Sequence, residues 1–175
     1  KIGAAEIEVL LTLYGQNQAV TEALVALSQV GRQKDWWWKH RDVVDEEFAL
    51  LLSLESEAES VRSYEAQAVP AWTQTEPYAQ AVICSGVLRV SPEEVSKRVA
   101  LRMERQQHLS STQPPMYHAI LDEAALQRAV GGREVMREQL LHLAKLSEYR
   151  HVQIQILPLG TGAHPAMNGS FVLLD

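Results

Sequence analysis

Arg98, Arg102, Arg105 and Gln106 stand at i, i+4, i+7 and i+8 of a predicted helix, which puts three guanidiniums on one face. A guanidinium fork matches the two oxygens of a carboxylate or phosphate, so such a face suits an anion or a charged partner. It also suits a solvated surface laced by pairs such as Glu94 with Arg98, each worth only about 0.3–0.5 kcal/mol. Arg98 is assigned to that solvated surface; for Arg102 and Arg105 both readings stand. Glu55, acidic at the end of an apolar stripe, is expected to pair with an arginine or hydrogen-bond a turn rather than to act in catalysis.

Catalytic chemistry finds little support. Ser110, Ser111 and Ser170 lie in no nucleophile-elbow motif. His164, in Gly160-Thr161-Gly162-Ala163-His164-Pro165, is the one histidine beside a glycine-rich loop, and ordering that loop explains it better than proton transfer. His142, His151 and His164 lack metal-ligand spacing, and Gly160-Thr161-Gly162 lacks the lysine and helix of a phosphate loop. No enzyme activity, metal or cofactor is expected. A binding domain is expected instead, with Trp72, Tyr78, Tyr117 and the His164 loop lining a pocket and Arg102, Arg105 and Glu123 as polar anchors. Trp36-Trp37-Trp38 cannot all face one way on a regular element, so at least one is expected to meet a partner, a ligand or a neighbouring domain.

The elements that must position these groups are legible in the local chemistry. Val69-Pro70 favours an extended entry into a turn. Thr75 then offers a cap to a helix from Glu76 to Cys84, with Glu76 and Pro77 in its first turn. Trp72 with Tyr64 and Tyr78 around that turn suggests a wall of the core, and Cys84, on an apolar helix, a small core residue. Ser91-Pro92-Glu93-Glu94 reads as a helix start with a capping box, and the helix runs to about His108. Asp45 to Glu57 reads as helix, Val61 to Ala66 as strand, and Met116 to Leu121 as a strand ending in an Asp122 cap for the short helix 123–128. After Gly131-Gly132 a helix from Glu134 to Ser147 is expected to bury Met136, Leu140 and Leu143. Val152 to Ile156 alternates strictly, Ser170 to Leu174 is a second apolar strand, and 158–169 between them reads as a structureless connection. Near the start, Ile7, Leu10, Leu11 and Tyr14 mark an amphipathic helix closed by Gly15, and a second helix is expected from Thr21, its cap, to about Gln33, with Ala23, Leu24, Leu27 and Val30 inward.

With 175 residues, 46% hydrophobic and 22% charged, the chain is long and apolar enough for one ordinary globular core. A net charge of −6 gives no overall signature of nucleic-acid binding. The single cysteine excludes an internal disulfide and suits a reducing, cytoplasmic setting, and no membrane span is expected. Starting at Lys1 and stopping at Asp175 directly off a strand, the chain is expected to be truncated at both ends.

Pro70-Ala71-Trp72-Thr73-Gln74-Thr75, followed by Tyr78-Ala79, resembles the Pro-Gly-Leu-Leu-Gln-Thr signature and Tyr-Ala helix of a domain in actinobacterial Xre-type transcription regulators of the WhiJ-like kind. Ala71, Trp72 and Thr73 replace the usual Gly-Leu-Leu. Further motifs follow in the family's order: Leu54-Glu55 with Ala58, Arg102 with Arg105-Gln106, Asp122-Glu123 with Leu126, Gln139-Leu140, and Gly169-Ser170-Phe171 after the His-Pro loop. The resemblance implies that residues 1–15 are the last helix of a helix-turn-helix DNA-binding domain, 16–40 a linker helix, and 41–175 an effector or oligomerisation domain. The implied fold is α+β, a small mixed or antiparallel sheet flanked by helices. The implied function is a homodimerising sensor that modulates DNA binding by the absent N-terminal domain, in response to a small-molecule effector. The alternative is an interaction module holding a small partner protein in an antitoxin-like manner.

Overall fold

The computed structural model describes residues 4–22, 24, 36–86 and 90–175. Two compact units emerge, Lys1–Lys39 and His40–Asp175. In the first, helix α1 (Ala4–Leu13) ends as expected at Gly15, whose φ of +69° is the left-handed conformation that closes a helix most readily with glycine. Residues 18–22 are helical, and Asn17 accepts from the Val20 amide at 2.9 Å. The second helix thus starts before Thr21, with Asn17 rather than Thr21 as its cap. Ala23, Leu27, Val30 and the expected end near Gln33 lie outside the described residues.

The second unit is an α+β fold. Its helices are α2 (Glu46–Glu57), α3 (Glu76–Cys84), α4 (Pro92–Arg105), α5 (Glu123–Gln127) and α6 (Arg133–Leu146). Its strands are β1 (Ser60–Glu65), β2 (Met116–Asp122), β3 (Val152–Leu157) and β4 (Phe171–Leu174). They form one mixed sheet in the order β3-β2-β1-β4, with β1, β2 and β3 parallel and β4 antiparallel to β1. Parallel neighbours need crossovers, and helices supply both: α3 and α4 between β1 and β2, α5 and α6 between β2 and β3.

Register sorts the sheet into two faces. Val61 pairs with Tyr117 and Tyr117 with Val152, while Ser63 pairs with Ala119 and Ala119 with Ile154. This face meets Val69, Trp72, Tyr78, Leu109, Met136, Leu143 and Leu146 in the core. The opposite face carries Arg62, Tyr64 and His118, where Tyr64 packs on Phe171 (ring centroids 5.9 Å apart) and His118 bonds Gln155.

Most helix ends follow their local signals. Asp45, Thr75, Ser91 and Asp122 accept from the amides of Phe48, Tyr78, Glu94 and Ala124. The Ser91 box closes on one side only, because the Glu94 carboxylate holds Arg98 at 2.7 Å. Helix α4 stops at Arg105 and tightens into a 3-10 turn, Gln106–Ser110, instead of running on to His108. The connection 158–169 is not structureless either; it holds the 3-10 turns Leu159–Thr161 and Pro165–Asn168. Leu140 is 40% exposed rather than inward, and Cys84, the last residue of α3, faces solvent rather than the core.

Gly131 closes the turn before α6 with φ of +71°, and a Cβ there would come 2.9 Å from Val135 Cγ1 and 3.1 Å from Ala81 Cβ. Gly131→Ala is therefore expected to lose more than the ~1–2 kcal/mol of left-handed backbone strain. Gly132→Ala meets no such neighbour, but at φ +93° and ψ 174° it occupies extended backbone that is essentially glycine's own, so about 1–3 kcal/mol of backbone strain is expected there. Urea unfolding of the two variants orders them.

Candidate functional site

The turn from Val69 to Thr75 is where α2, α4 and α6 bring their polar groups. Proline at 70 starts a 3-10 turn, Ala71–Thr73, which leaves carbonyls that no regular ladder can satisfy. Side chains from distant elements take them up. Gln139 of α6, fully buried, donates to Thr73 O at 2.7 Å and accepts from the Thr75 amide at 2.7 Å. Gln106 donates to Ala71 O and to Gln74 O, both at 2.8 Å. Gln74 turns back on its own loop and donates to Val69 O at 2.6 Å, and the Tyr78 hydroxyl accepts from the Val69 amide at 3.0 Å.

Beneath the turn lies a buried charge pair. Arg105 Nε donates to Glu55 Oε2 at 2.6 Å and its Nη2 to Glu55 Oε1, a two-pronged fork. Glu55 is 3% exposed and Arg105 8%. Trp72 Nε1 donates to the same carboxylate at 3.2 Å, and the guanidinium sits 5.6 Å from the Phe48 ring centroid and 6.0 Å from that of Trp72. Trp72 in turn stacks on Tyr117 at 5.5 Å and 7°. The expected arginine partner of Glu55 is Arg105, fifty residues away.

On the outer side of this pair is a cleft of about 360 Å³. Val43, Val44, Phe48, Ile83 and Leu101 supply its apolar wall. Arg98, Arg102 and Arg105, with Asp42 and Asp45, supply its charged lining. Most of these charges are already committed. Arg105 is held by Glu55, Arg98 by Glu94, Asp42 by Lys97 at 2.6 Å, and Asp45 by the first turn of α2. Arg102 differs. Its Nη1 donates to the neutral Gln74 Oε1 at 2.8 Å, and among the described residues no carboxylate lies within ion-pair distance. Burial lowers its pKa from the ordinary arginine value, with the nearby Arg105 and Arg98 charges adding to the effect. It remains a cation at any working pH.

The residues expected to line one pocket therefore separate. Trp72, Tyr78 and Tyr117 are core, 3%, 0% and 2% exposed. His164 packs edge-on against Tyr64 at 5.7 Å, and Tyr64 belongs to the other face of the sheet from Tyr117. Glu123 accepts from the Leu159 amide at 2.9 Å and so pins the connection after β3. Arg102 and Arg105 alone of that set reach the cleft. Phe48, Val43 and Val44 were not anticipated there; the apolar pair just before the Asp45 cap was the available signal. Trp36, Trp37 and Trp38 occupy the 3-10 turn Trp36–His40, with the rings of Trp37 and Trp38 6.1 Å apart and tilted by 52°. Among the described residues no group of three or more His, Cys, Asp or Glu could hold a metal ion, and no helix is long and apolar enough to cross a membrane.

Residues 48–175 match the family described as Domain of unknown function (DUF5753). No curated protein and no solved structure matches the chain.

Proposed function

From the premise that the chain belongs to the DUF5753 family, we propose that it is the sensing and dimerisation part of a cytoplasmic transcription regulator. In this reading residues 1–15 are the last helix of an Xre-type helix-turn-helix domain, residues 16–40 a linker, and residues 41–175 the effector domain. The regulator resembles the WhiJ-like proteins of actinobacteria in the motifs quoted above. The recognition helix of such a helix-turn-helix domain enters the major groove, and the effector domain biases that contact according to what it has bound. The observation that supports sensing is the half-open cleft beside Arg102, whose one protein partner among the described residues, Gln74, belongs to the central turn. A ligand on the remaining edge of Arg102 shares the guanidinium with Gln74, so occupancy of the cleft is coupled to the turn and bound and empty states differ there.

The test is the DNA affinity of the full-length regulator on its own promoter, with the wild-type domain and with a cleft-filling Val44→Trp variant. A difference in operator affinity between the two in host extract supports sensing. Equal affinity with and without host small molecules, in both forms, refutes it.

A second reading, the antitoxin-like module for a small partner protein, draws on an open groove along α6. Met136, Leu140 and Leu141 line it together with Arg133 and Arg137. Co-purification of a stoichiometric protein whose release follows Leu141→Asp favours that reading.

A further inference from the structure

The sensing reading names no ligand, but the charges around the cleft restrict its class. We propose that the cleft binds a small organic monocarboxylate, its carboxylate on the Arg102 guanidinium and its apolar body against Phe48, Val44 and Ile83. This deepens the sensing proposal and rests on it only for biological purpose; the binding itself is tested separately below.

A guanidinium has five N–H donors, and Gln74 engages one group of Arg102. The remaining edge is matched by the two oxygens of a carboxylate. A half-buried cation with a neutral amide as partner is electrostatically unsatisfied, so an incoming anion gains more there than at Arg98 or Arg105, whose carboxylates are already in place. Ligand charge is bounded from the other side. Asp42 and Asp45 belong to the same lining, and Asp42 retains its charge because Lys97 holds its carboxyl below the ordinary range. With Asp42 offset by Lys97, one uncommitted cation shares the lining with the Asp45 carboxylate, which suits a single negative charge better than a phosphate dianion. The apolar wall excludes a free inorganic ion as the natural occupant, since it would leave Val43, Phe48 and Leu101 uncovered. At about 360 Å³ the cleft is at the small end of ligand sites, which limits the body to something near one ring or a short chain.

The 175-residue chain is titrated calorimetrically with benzoate, hexanoate and indole-3-carboxylate, and with phenyl phosphate and benzyl alcohol as the dianionic and neutral comparators. The same titrations are made on Arg102→Gln and on Val44→Trp, which fills the wall without touching the guanidinium. At least one carboxylate is expected to bind with Kd of about 1 mM, as suits so few non-hydrogen atoms. Both variants should weaken it about tenfold or more, and both comparators should bind wild type at least about tenfold more weakly. The Arg102 Nε–H resonance should shift on saturation in wild type, a readout that a merely destabilised variant cannot imitate. The proposal is overturned if no carboxylate binds by about 20 mM, if Val44→Trp binds as well as wild type, or if phenyl phosphate or benzyl alcohol binds more tightly than every carboxylate. Carboxylate binding at Arg102 with no effect on operator affinity would uphold this site and refute sensing. Preferential binding of phenyl phosphate that does change operator affinity would do the reverse.

Discussion

Glu55→Ala is expected to destabilise the His40–Asp175 unit by about 3–5 kcal/mol, the cost of leaving a buried charge without its partner. Arg105 would keep its position between Phe48 and Trp72, 8% exposed, with no counter-charge. Trp72 Nε1 would lose its acceptor in the same step. Two controls separate charge from packing. Arg105→Met alone strands the carboxylate and should cost a comparable amount. The double variant Glu55→Leu/Arg105→Met removes both charges while keeping volume, and should recover most of the loss, less what the orphaned indole N–H takes back. Urea unfolding at neutral pH measures all three. If Glu55→Ala loses under about 1 kcal/mol, water reaches the pair and the burial described for it is wrong.

The next largest effect belongs to Gln139. It is fully buried and makes two hydrogen bonds to the turn in opposite senses, accepting from Thr75 and donating to Thr73 O. Gln139→Leu keeps the size and strands both backbone groups, at about 1–3 kcal/mol each. Gln139→Glu preserves the acceptor but sets a carboxylate against the Thr73 carbonyl, so it should be no milder. Gln106→Leu also breaks two bonds to the turn, but from a half-exposed position where water can replace them, so its loss should be smaller. The ranking of Gln139 above Gln106 in chemical denaturation is the check. Equal losses would mean that burial of the turn contributes nothing.

What was readable in advance was local. The caps at Asp45, Thr75, Ser91 and Asp122 depend on one side chain and an amide two or three residues later, so a short window holds all the information. The arginine face was readable for the same reason, because helical spacing alone places Arg98, Arg102 and Arg105 together. Their separate fates were not readable. Arg98 keeps a neighbour four residues away, while the partner of Arg105 comes from α2 and that of Arg102 from the turn. The pocket expectation failed through face parity. Tyr64 and Tyr117 look alike as aromatic residues on strands, but the β1–β2 register sets them on opposite sides, one under His164 and the other under Trp72. Strand order was invisible too, since nothing in a strand's own residues says that β4 returns beside β1.

The glutamine clamp bears on the order in which the chain assembles. The turn's own residues are complete by position 75, yet the bonds from Gln139 close loops of 64 and 66 residues. A chain growing from its N-terminus would therefore carry Pro70 to Thr75 for a long interval with two backbone groups still bonded to water. Only after β2 has aligned beside β1 and α6 has docked can they change partners. By this order the turn acquires its full set of bonds only once α6 is in place, long after its own residues have been made, while β3 and β4 are still to come.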